Sequence, residues 1–528
     1  MAGCALQYQI ADGDSVGEVI SALSSEFCMG NESRKVLRRT FYDTFDWRVF
    51  LSGGELLEER SGKQRSLIWR SLEDGAVKET LRFTGSVPNF AWDFQPGIMQ
   101  SLLTPAIAMR ALLHQVEVKT QVRTLRLFDR EEKTVLRLVM EENSGRFPGK
   151  GDFVPLPSRI NLVPVRGYPK PLERVEEFLT ETLGIKSGAA SMLEAAMNAL
   201  GSKPVNYSSK LNFHFEPKMR AVAVARAIHL RLLDIIEINI PGTRTDLDSE
   251  FLHDLRVAVR RTRSVLAQVK DVFPIDVVER FKESFSWVGK ITGPTRDMHV
   301  YLLGFDKFRE SLPEQFREDV EPLKAFLIAH QKSEHRAMSR KIDSPHFRGI
   351  LEQWRSYLES PLPERPGVPN ADRRVAEVAG KRIFRIYQRV LREGLAIIPT
   401  SPADDLHELR KSCKKLRYLL EFFQSLYPGN QVRPLIKTLK VLLDNLGDYQ
   451  DMEVQAYKLR EFAHQMVKEG EVKADTLLAV GMLVDGLLES QRLAREEFAA
   501  RFALFSEVGG RAVYQALFAP MKKKVKKA

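Results

Sequence analysis

Cysteine is nearly absent from this chain of 528 residues, in which only Cys4, Cys28 and Cys413 occur. Three widely spaced cysteines exclude a disulfide framework and a zinc site built on Cys-x-x-Cys pairs, and they suit a reducing cytoplasm. The N-terminal residues lack a basic stretch followed by an apolar one, as a signal peptide would have. The longest apolar segment, residues 221–240, is interrupted by arginines and acids, so it is not a membrane span. We therefore expect a cytoplasmic protein without a membrane partner.

Charge is unevenly distributed along a chain of ordinary globular composition, with 44% hydrophobic and 28% charged residues. Residues 1–200 hold 25 Lys and Arg against 26 Asp and Glu, whereas the whole chain has a net charge of +11. The basic surplus therefore lies entirely after residue 200, which indicates a polyanionic partner for that part. The alternative is a lysine-rich surface together with the basic tail at residues 516–528.

Two regions differ in their periodicity. Residues 1–200 contain segments that alternate with period two and are separated by turn residues, which predicts a β-rich domain. Residues 205–515 contain long segments with apolar residues at i, i+3, i+4 and i+7, which predicts helices. A proline-rich stretch at residues 359–374 interrupts the helical region near its middle.

The helical region contains an internal repeat. LHDLRVAVRRTRSVL at residues 252–266 aligns with LHELRKSCKKLRYLL at residues 406–420, at an offset of 154 residues. The same offset places GPTRDMHV (293–300) opposite GDYQDMEV (447–454), so that a G-x-x-x-D-M motif recurs. Because the register persists without a gap over about fifty positions, we predict a duplicated unit of about four helices per copy.

Each copy carries a cationic stripe beside an apolar one. Positions i, i+3, i+7 and i+10 lie on one face of a helix. In the two copies these positions hold His253, Arg256, Arg260 and Arg263, and His407, Arg410, Lys414 and Arg417. The apolar stripes are Leu252, Leu255, Val259, Thr262 and Leu266, and Leu406, Leu409, Cys413, Leu416 and Leu420. We expect one face to anchor the helix and the next to present the cations.

A solvated surface is the common explanation of a charged stripe, but such surfaces usually interleave both signs. Like charges at adjacent turns cost about 0.2–0.5 kcal/mol per pair, and a multiply charged anion would remove this cost. Arginine forks suit phosphate oxygens, and an anion would raise the pKa of a histidine on the stripe. The pair His253-Asp254 is also compatible with a metal-dependent HD phosphohydrolase, but Glu408 replaces the acid in the second copy and the cations would repel a divalent metal.

Other cations extend the candidate site. Arg261 and Lys415 flank the stripes, and AGKRIFRIYQRVLREG (379–394) carries a second basic stripe. These further candidates are Lys381, Arg385, Arg389 and, on the first helix of the repeat, Arg226. We expect the stripes of the two copies to line a shared groove or channel.

The repeated helices and the downstream G-x-x-x-D-M motif resemble the CHAD domain, the conserved-histidine α-helical domain, over about residues 205–515. The resemblance implies two four-helix bundles with pseudo-two-fold symmetry and a basic central pore that binds inorganic polyphosphate. By motif, His253, Arg256, Arg260 and Arg263, with His407, Arg410, Lys414 and Arg417, would be its binding residues.

The β-rich region resembles the CYTH family, whose fold is an antiparallel triphosphate tunnel. FYDTFDWRVFLSGGELLEER (41–60) and VEVKTQVRTLRLFDREEKTVLRLVMEEN (116–143) carry the resemblance. In that family an opening E-x-E-x-K strand and a late E-x-E-x-E strand bind a divalent cation. Gln7 and Gln9 stand in the first strand here.

The late acidic strand corresponds to SRINLVPVRG (158–167), which leaves Arg159, Asn161 and Val163 where carboxylates belong. We therefore expect a degenerate, catalytically inactive tunnel with no metal and no cofactor. Five cations of this region are expected to be mainly sheet-surface charges, with residual phosphate binding as the alternative: Arg65, Arg70, Lys78, Arg82 and Arg123.

These observations predict an α+β protein of two domains, an antiparallel β tunnel at 1–200 and an all-α duplicated bundle at 205–515. The expected function is binding of long inorganic polyphosphate in the cytoplasm, with association with polyphosphate granules. One alternative is a triphosphatase that uses Glu117, Glu141 and Glu142. A nucleic-acid-binding module is the second, but the basic stripes lack interleaved aromatic residues.

Overall fold

In the computed structural model the described residues are 6–10, 15–188, 191–362, 367–470 and 472–520. They form two compact units, one ending at Ser208 and the other beginning at Ser209. The lysine-rich residues 521–528 of the predicted tail lie outside the described residues, and the helix that precedes them ends at Phe518. In the described ranges no helix is both long and apolar enough to cross a bilayer.

The N-terminal unit is built on one antiparallel sheet, which has nine strands within the described residues. The strands are β1 (Leu6–Gln9), β2 (Met29–Asp43), β3 (Gly54–Ser61), β4 (Gln64–Ser71), β5 (Val77–Arg82), β6 (Leu113–Phe128), β7 (Thr134–Arg146), β8 (Val154–Pro164) and β9 (Lys186–Ser187). Their order across the sheet is β5-β4-β3-β2-β6-β7-β8-β1-β9. All pairs are antiparallel, which confirms the predicted sheet.

Five helices of the described N-terminal unit accompany the sheet. They are α1 (Val16–Glu26), α2 (Arg48–Leu51), α3 (Ile98–Ile107), α4 (Pro169–Glu177) and α5 (Met192–Ala199). Helix α1 begins at a capping box, in which Ser15 and Glu18 each accept a hydrogen bond from the other's backbone amide. Separate apolar clusters lie between the sheet and these helices, so both faces of the sheet are partly covered.

The C-terminal unit is all-helical in its described part, as predicted. The first half contains α6 (Ala221–Thr245), α7 (Ser249–Gln268), α8 (Ile275–Ile291), α9 (Gly293–Ser311), α10 (Glu321–Ile342) and α11 (Pro345–Glu359). The second half contains α12 (Val375–Leu395), α13 (Ala403–Phe423), α14 (Gly429–Glu469), α15 (Ala474–Phe505) and α16 (Val508–Phe518).

The duplication extends through the whole helical unit. Helices α12, α13 and α14 begin 154 residues after α6, α7 and α8, and α15 begins 153 residues after α10. Each copy therefore contains four helical segments, which are broken at different places. The third segment is continuous in the second copy, as α14, but is divided into α8 and α9 in the first, where Pro294 follows Gly293 and has no amide proton to donate.

One apolar core joins the two copies. Both predicted apolar stripes belong to it: Leu255 and Leu409, at the centres of α7 and α13, are fully buried, as is Cys413. The proline-rich segment that separates the copies is followed by a strand-like bridge between Arg220 and Arg374, at the starts of α6 and α12. The repeated helices are thus anchored from the same core and are held side by side.

Candidate functional site

The two repeated helices, α7 and α13, meet at a cavity of about 550 Å³, which we call the central cavity. From the predicted set it brings together His253, Arg260, Arg261, Arg410, Lys414 and Arg417. Lys210, which precedes α6, also lies in its wall. The prediction that stripes from both copies line a shared groove therefore agrees with the geometry for these residues.

Lys414 lies at the centre of this charge cluster. Burial, and then the nearby guanidinium groups of Arg410 and Arg260, lower the pKa of Lys414 from 10.5 to about 8. The arginine at position 417 acts in the same direction. Among the described residues Lys414 has no hydrogen-bonded or ion-paired partner. Both desolvation and repulsion by the neighbouring cations therefore disfavour the charged form of this lysine.

His253 is in a comparable environment. Burial and the positive charges of Arg296 and Arg260 lower the pKa of His253 below its usual 6.5. Its imidazole is therefore mainly neutral near pH 7, and an incoming anion would draw a proton onto it. Arg296 was not predicted as a site residue. It lies inside the repeated GPTRDMHV segment, where the second copy has Gln450, so the repeat itself did not single it out.

Arg256 and Arg410 each lie close to the glycine of the G-x-x-x-D-M motif. A Cβ atom at Gly293 would lie 3.8 Å from Nη1 of Arg256, and one at Gly447 would lie 3.5 Å from Nη2 of Arg410. In each copy the guanidinium group lies beside the glycine of the third helical segment. Both distances are ordinary van der Waals separations, so a Cβ atom would also fit there.

The same two arginines are held by different hydrogen bonds. Arg256 Nη1 donates to the carbonyl oxygen of Gly289 and to Oγ1 of Thr292, both at 2.9 Å. Arg410 instead donates to Gln450 Oε1 at 2.9 Å and to Asp451 Oδ1 at 3.0 Å. Arg256 is thus bound to the backbone at the break between α8 and α9 and does not line the central cavity. Arg410 lines it and is neutralised by an exposed carboxylate.

Acidic residues also line the cavity, and the three on α14 were not predicted from the sequence. Asp444, Asp448 and Asp451 follow one face of α14, and Asp254 completes the set. Desolvation and the neighbouring carboxylates raise the pKa of Asp448. Apart from Asp254 at the start of α7, the acids of the cavity come from α14. They were not predicted because helix periodicity carries no information on which helix faces the stripe.

Two further cations of the cavity share one acid. Arg417 Nε donates to Glu421 Oε1 at 2.6 Å, one turn further along α13, and Arg261 Nη2 donates to Glu421 Oε2 at 3.4 Å. This bridge between α13 and α7 ties the copies together at the edge of the cavity. Two other cations of the cavity, Arg260 and Lys414, form no ion pair with any of the described residues.

Some predicted residues lie elsewhere. Arg226 is buried on α6, where it donates to the carbonyl oxygens of Leu358 and Ser360 and stacks over Tyr357. Its guanidinium group therefore satisfies the C-terminal carbonyls of α11, and the structure does not bring it to the central cavity. The corresponding position in the second copy is Gly380.

The residues of the basic stripe on α12 also do not line the central cavity. Lys381 and Arg385 are exposed, and Arg389 lies 3.8 Å from Glu393 on its own helix. Arg263 is exposed beside Gly289, at the edge of α8. The remaining predicted residues, which lie on α13 outside the cavity lining, are His407 and Lys415.

The N-terminal sheet shows what occupies the positions of the expected metal ligands. Gln7 is opposite Asn161 and donates to its side-chain oxygen at 3.0 Å, and Gln9 is opposite Arg159. Burial lowers the pKa of Arg159. Strands β1 and β8 therefore bring three amides and an arginine together where carboxylates were expected.

The alternative carboxylates do not converge. Glu141 forms an ion pair with Arg39 at 2.9 Å, and Glu117 forms one with Arg146 at 2.8 Å on the other face of the sheet. Glu142 is exposed. Across the described ranges no group of three or more His, Cys, Asp or Glu residues could hold a metal ion. The residues at this face do not fit a divalent cation.

Replacing Lys414 by glutamine should stabilise the helical unit. The change removes a partly buried charge beside three arginines, and each such like-charged pair costs about 0.2–0.5 kcal/mol. We expect Lys414→Gln to raise the free energy of unfolding by roughly 0.5–1.5 kcal/mol, measured by thermal and urea unfolding followed at 222 nm. The exposed Lys381→Gln variant is the control and should change it little. A less stable Lys414→Gln protein would show that the lysine has a stabilising partner.

The chain is similar to a known family and to several solved structures. Residues 227–460 match the family model of the CHAD domain. Among solved structures, the CHAD domain from the plant Ricinus communis has 23% sequence identity and a TM-score of 0.47, over 59% of this chain and 96% of that one. PptA from Streptomyces chartreusis has 17% identity and a TM-score of 0.40, over 54% of this chain and 99% of that one.

A further structural match is to a protein with a different described activity. A Hippeastrum protein, described as an adenylyl cyclase candidate with a dominant triphosphatase activity, has 12% identity and a TM-score of 0.22, over 39% of this chain and 99% of that one. No curated protein matches the chain. The antiparallel sheet with a helical partner unit is the architecture expected from both resemblances. Residues 227–460, within the helical unit, are a CHAD domain.

Proposed function

We propose that the helical unit binds inorganic polyphosphate in the central cavity. The observation that carries the proposal is the group formed by Lys414 and Arg260 with Arg410 and Arg417, in which two cations have no ion pair among the described residues. A polyanion would neutralise them together and would restore the ordinary pKa of the lysine. The resemblance of both repeated helices to polyphosphate-binding CHAD domains points to the same ligand.

A chain of phosphates suits this site better than a single small anion. The uncompensated cations come from both copies of the repeat, and exposed Arg263 extends the positive charge beyond the cavity. The aspartates on α14 also line the cavity and would repel the same ligand. A phosphate chain would therefore lie along α7 and α13 and displace carboxylates such as Asp451 from the arginines.

A nucleic acid is a less suitable partner. Base stacking needs aromatic side chains placed between the cations, and among the residues that line the central cavity only Tyr418 is aromatic. We further propose that the protein accompanies polyphosphate in a reducing cytoplasm and its granules, since the chain is poor in cysteine.

We also propose that the N-terminal unit is not a metal-dependent triphosphatase. Hard cations require carboxylate or carbonyl oxygens, whereas Arg159 and the amides of Gln7 and Asn161 occupy the equivalent strands. Glu141 is neutralised by Arg39, which is also paired with Glu59. The sheet would then serve as a scaffold or docking module.

Removing the two unpaired cations should weaken polyphosphate binding. We expect the double variant Arg260→Gln/Lys414→Gln to bind long-chain polyphosphate at least tenfold more weakly than the wild type at physiological salt, because each lost phosphate contact costs about 1 kcal/mol or more. Isothermal titration calorimetry or a fluorescence titration would measure the dissociation constants.

The matched control is Lys381→Gln/Arg385→Gln, which removes the same charge from the exposed stripe of α12. It should bind within about twofold of the wild type, since it tests only the general electrostatic attraction. Equal losses in both double variants would mean that net charge, and not the cavity, determines binding. Competition with duplex DNA and with RNA in the same titration would reveal a nucleic-acid preference.

Binding should depend on pH through Lys414. Its pKa is about 8 in the free protein and would rise beside an anion, so binding takes up a proton above that pH. The affinity should therefore fall as the pH rises from 7 to 9.5, by up to about tenfold per unit once above pH 8. Lys414→Arg should remove most of this dependence because arginine stays protonated. A wild-type affinity that is constant over this range would contradict the assignment.

The chain of 528 residues should not hydrolyse tripolyphosphate in the presence of Mg²⁺ or Mn²⁺. Release of phosphate would be measured with a colorimetric assay over several hours, with wild-type protein and with Glu141→Gln. Hydrolysis that is lost in Glu141→Gln would contradict the proposal and would support the triphosphatase alternative. A trace activity that is equal in both proteins would indicate a contaminating enzyme.

A further inference from the structure

The N-terminal sheet carries a second group of cations, on the face opposite to Arg39, Glu141 and Arg159. Side chains directly opposite on neighbouring strands share a face of a sheet. The register pairs Arg38 with Arg60 and with Lys119, and it pairs Arg34 with Arg123. We call these five residues the outer basic patch.

The patch is self-repelling. Directly opposed like charges destabilise a sheet, where opposite charges would contribute roughly 0.2–1 kcal/mol. Arg38 faces a cation on both sides, from β3 and from β6, so that three positive charges follow one another across three strands. Strands lie about 4.8 Å apart, and the row Arg60–Arg38–Lys119 therefore extends over about 10 Å.

Nearby carboxylates do not relieve this repulsion, because other arginines already bind them. Glu58 accepts from Arg65 Nε at 2.7 Å. Glu117 accepts from Arg146 Nε at 2.8 Å. No ion pair to an acid forms for any of the five patch residues among the described parts of the chain. The positive charge of the outer basic patch is thus uncompensated because the acids on this face of the sheet are paired with arginines outside the patch.

The patch borders a concave surface. A cavity of about 370 Å³ is lined by Arg38, Arg60, Lys119 and Arg146, by Phe153, and by the ion-paired carboxylates Glu58 and Glu117. The ring of Phe153 already makes a cation–π contact, since the Arg146 guanidinium lies 4.6 Å from its centre. An anionic ligand therefore meets charges and hydroxyl groups here but no free aromatic ring on which a base could stack.

We propose that the outer basic patch is a second binding surface for inorganic polyphosphate, separate from the central cavity and located on the N-terminal unit. Charge complementarity selects the ligand: the row of cations needs several closely spaced negative charges, and phosphate oxygens accept from arginine forks and from lysine alike. The lack of a free aromatic ring disfavours a nucleic acid. The ligand class is that of the proposed function, but the site and its residues are different.

The test uses the full-length chain in the background Arg260→Gln/Lys414→Gln, so that the central cavity contributes little. Into this background we would introduce Arg38→Gln/Lys119→Gln, or the matched control Arg166→Gln/Lys170→Gln, which removes two exposed charges elsewhere on the unit. Long-chain polyphosphate is the probe, with single-stranded RNA and polyglutamate in parallel titrations.

We expect the background protein to retain weaker polyphosphate binding, and the patch variant to lose at least fivefold more of it than the control. Charge-retaining Arg38→Lys/Lys119→Arg should restore it. The patch variant should be at least as thermally stable as the background protein, because the substitutions relieve repulsion between like charges. A thermal unfolding measurement therefore distinguishes a loss of binding from a loss of folding.

Three results would overturn the inference: equal residual binding in patch and control variants, no residual binding in the background protein, or binding of RNA or polyglutamate in preference to polyphosphate. A failure of the proposed function gives a different pattern, since Arg260→Gln/Lys414→Gln would then bind like the wild type. The patch variants made in the wild-type chain would still report on the outer basic patch.

Discussion

The burial of one apolar face on each repeated helix is the constraint on which the site depends. Leu255 on α7 and Leu409 on α13 are fully buried in a core shared by the two copies. Burying a leucine contributes about 1.5–3 kcal/mol, whereas a like-charged neighbour on a helix costs about 0.2–0.5 kcal/mol. The apolar stripe therefore outweighs the repulsion within the cationic stripe, and the fold can hold Lys414 among arginines without a neutralising partner.

The duplicated arginine has the same neighbour in both copies. Arg256 and Arg410 lie beside Gly293 and Gly447, in the third segment of each copy. The copies have nevertheless diverged. Arg256 is bound to backbone and hydroxyl oxygens at a helix break, while Arg410 is paired with Asp451 on the continuous helix α14. An exposed carboxylate can be displaced by a phosphate more readily than a backbone carbonyl within a helix, so the second copy provides the more available arginine.

Much of the architecture could be predicted from periodicity and from the repeat. The offset of 154 residues between the copies is found again in the starts of three helix pairs, and the alternating segments became strands of one antiparallel sheet. Helix periodicity also placed Arg260 and Lys414 on the face that lines the cavity, because a residue's position on its own helix is a local property.

The remaining features of the site depend on which elements pack together, and local patterns do not contain that information. Asp444 and Asp448 lie on a helix far along the chain from α7, so these acids of the cavity were not predicted. Arg226 was expected to extend the site but caps α11, since that helix ends beside it. In the sheet, the outer basic patch emerges only from the register that brings β3, β2 and β6 together.

The salt dependence of polyphosphate binding tests the central claim most directly. The logarithm of the binding constant falls linearly with the logarithm of the salt concentration, with a slope that grows with the number of phosphates neutralised. If Arg260 and Lys414 contact the chain, the slope for Arg260→Gln/Lys414→Gln should be smaller than that of the wild type by about two. An unchanged slope in this variant would contradict the account, because it would show that neither cation of the central cavity touches the polyanion.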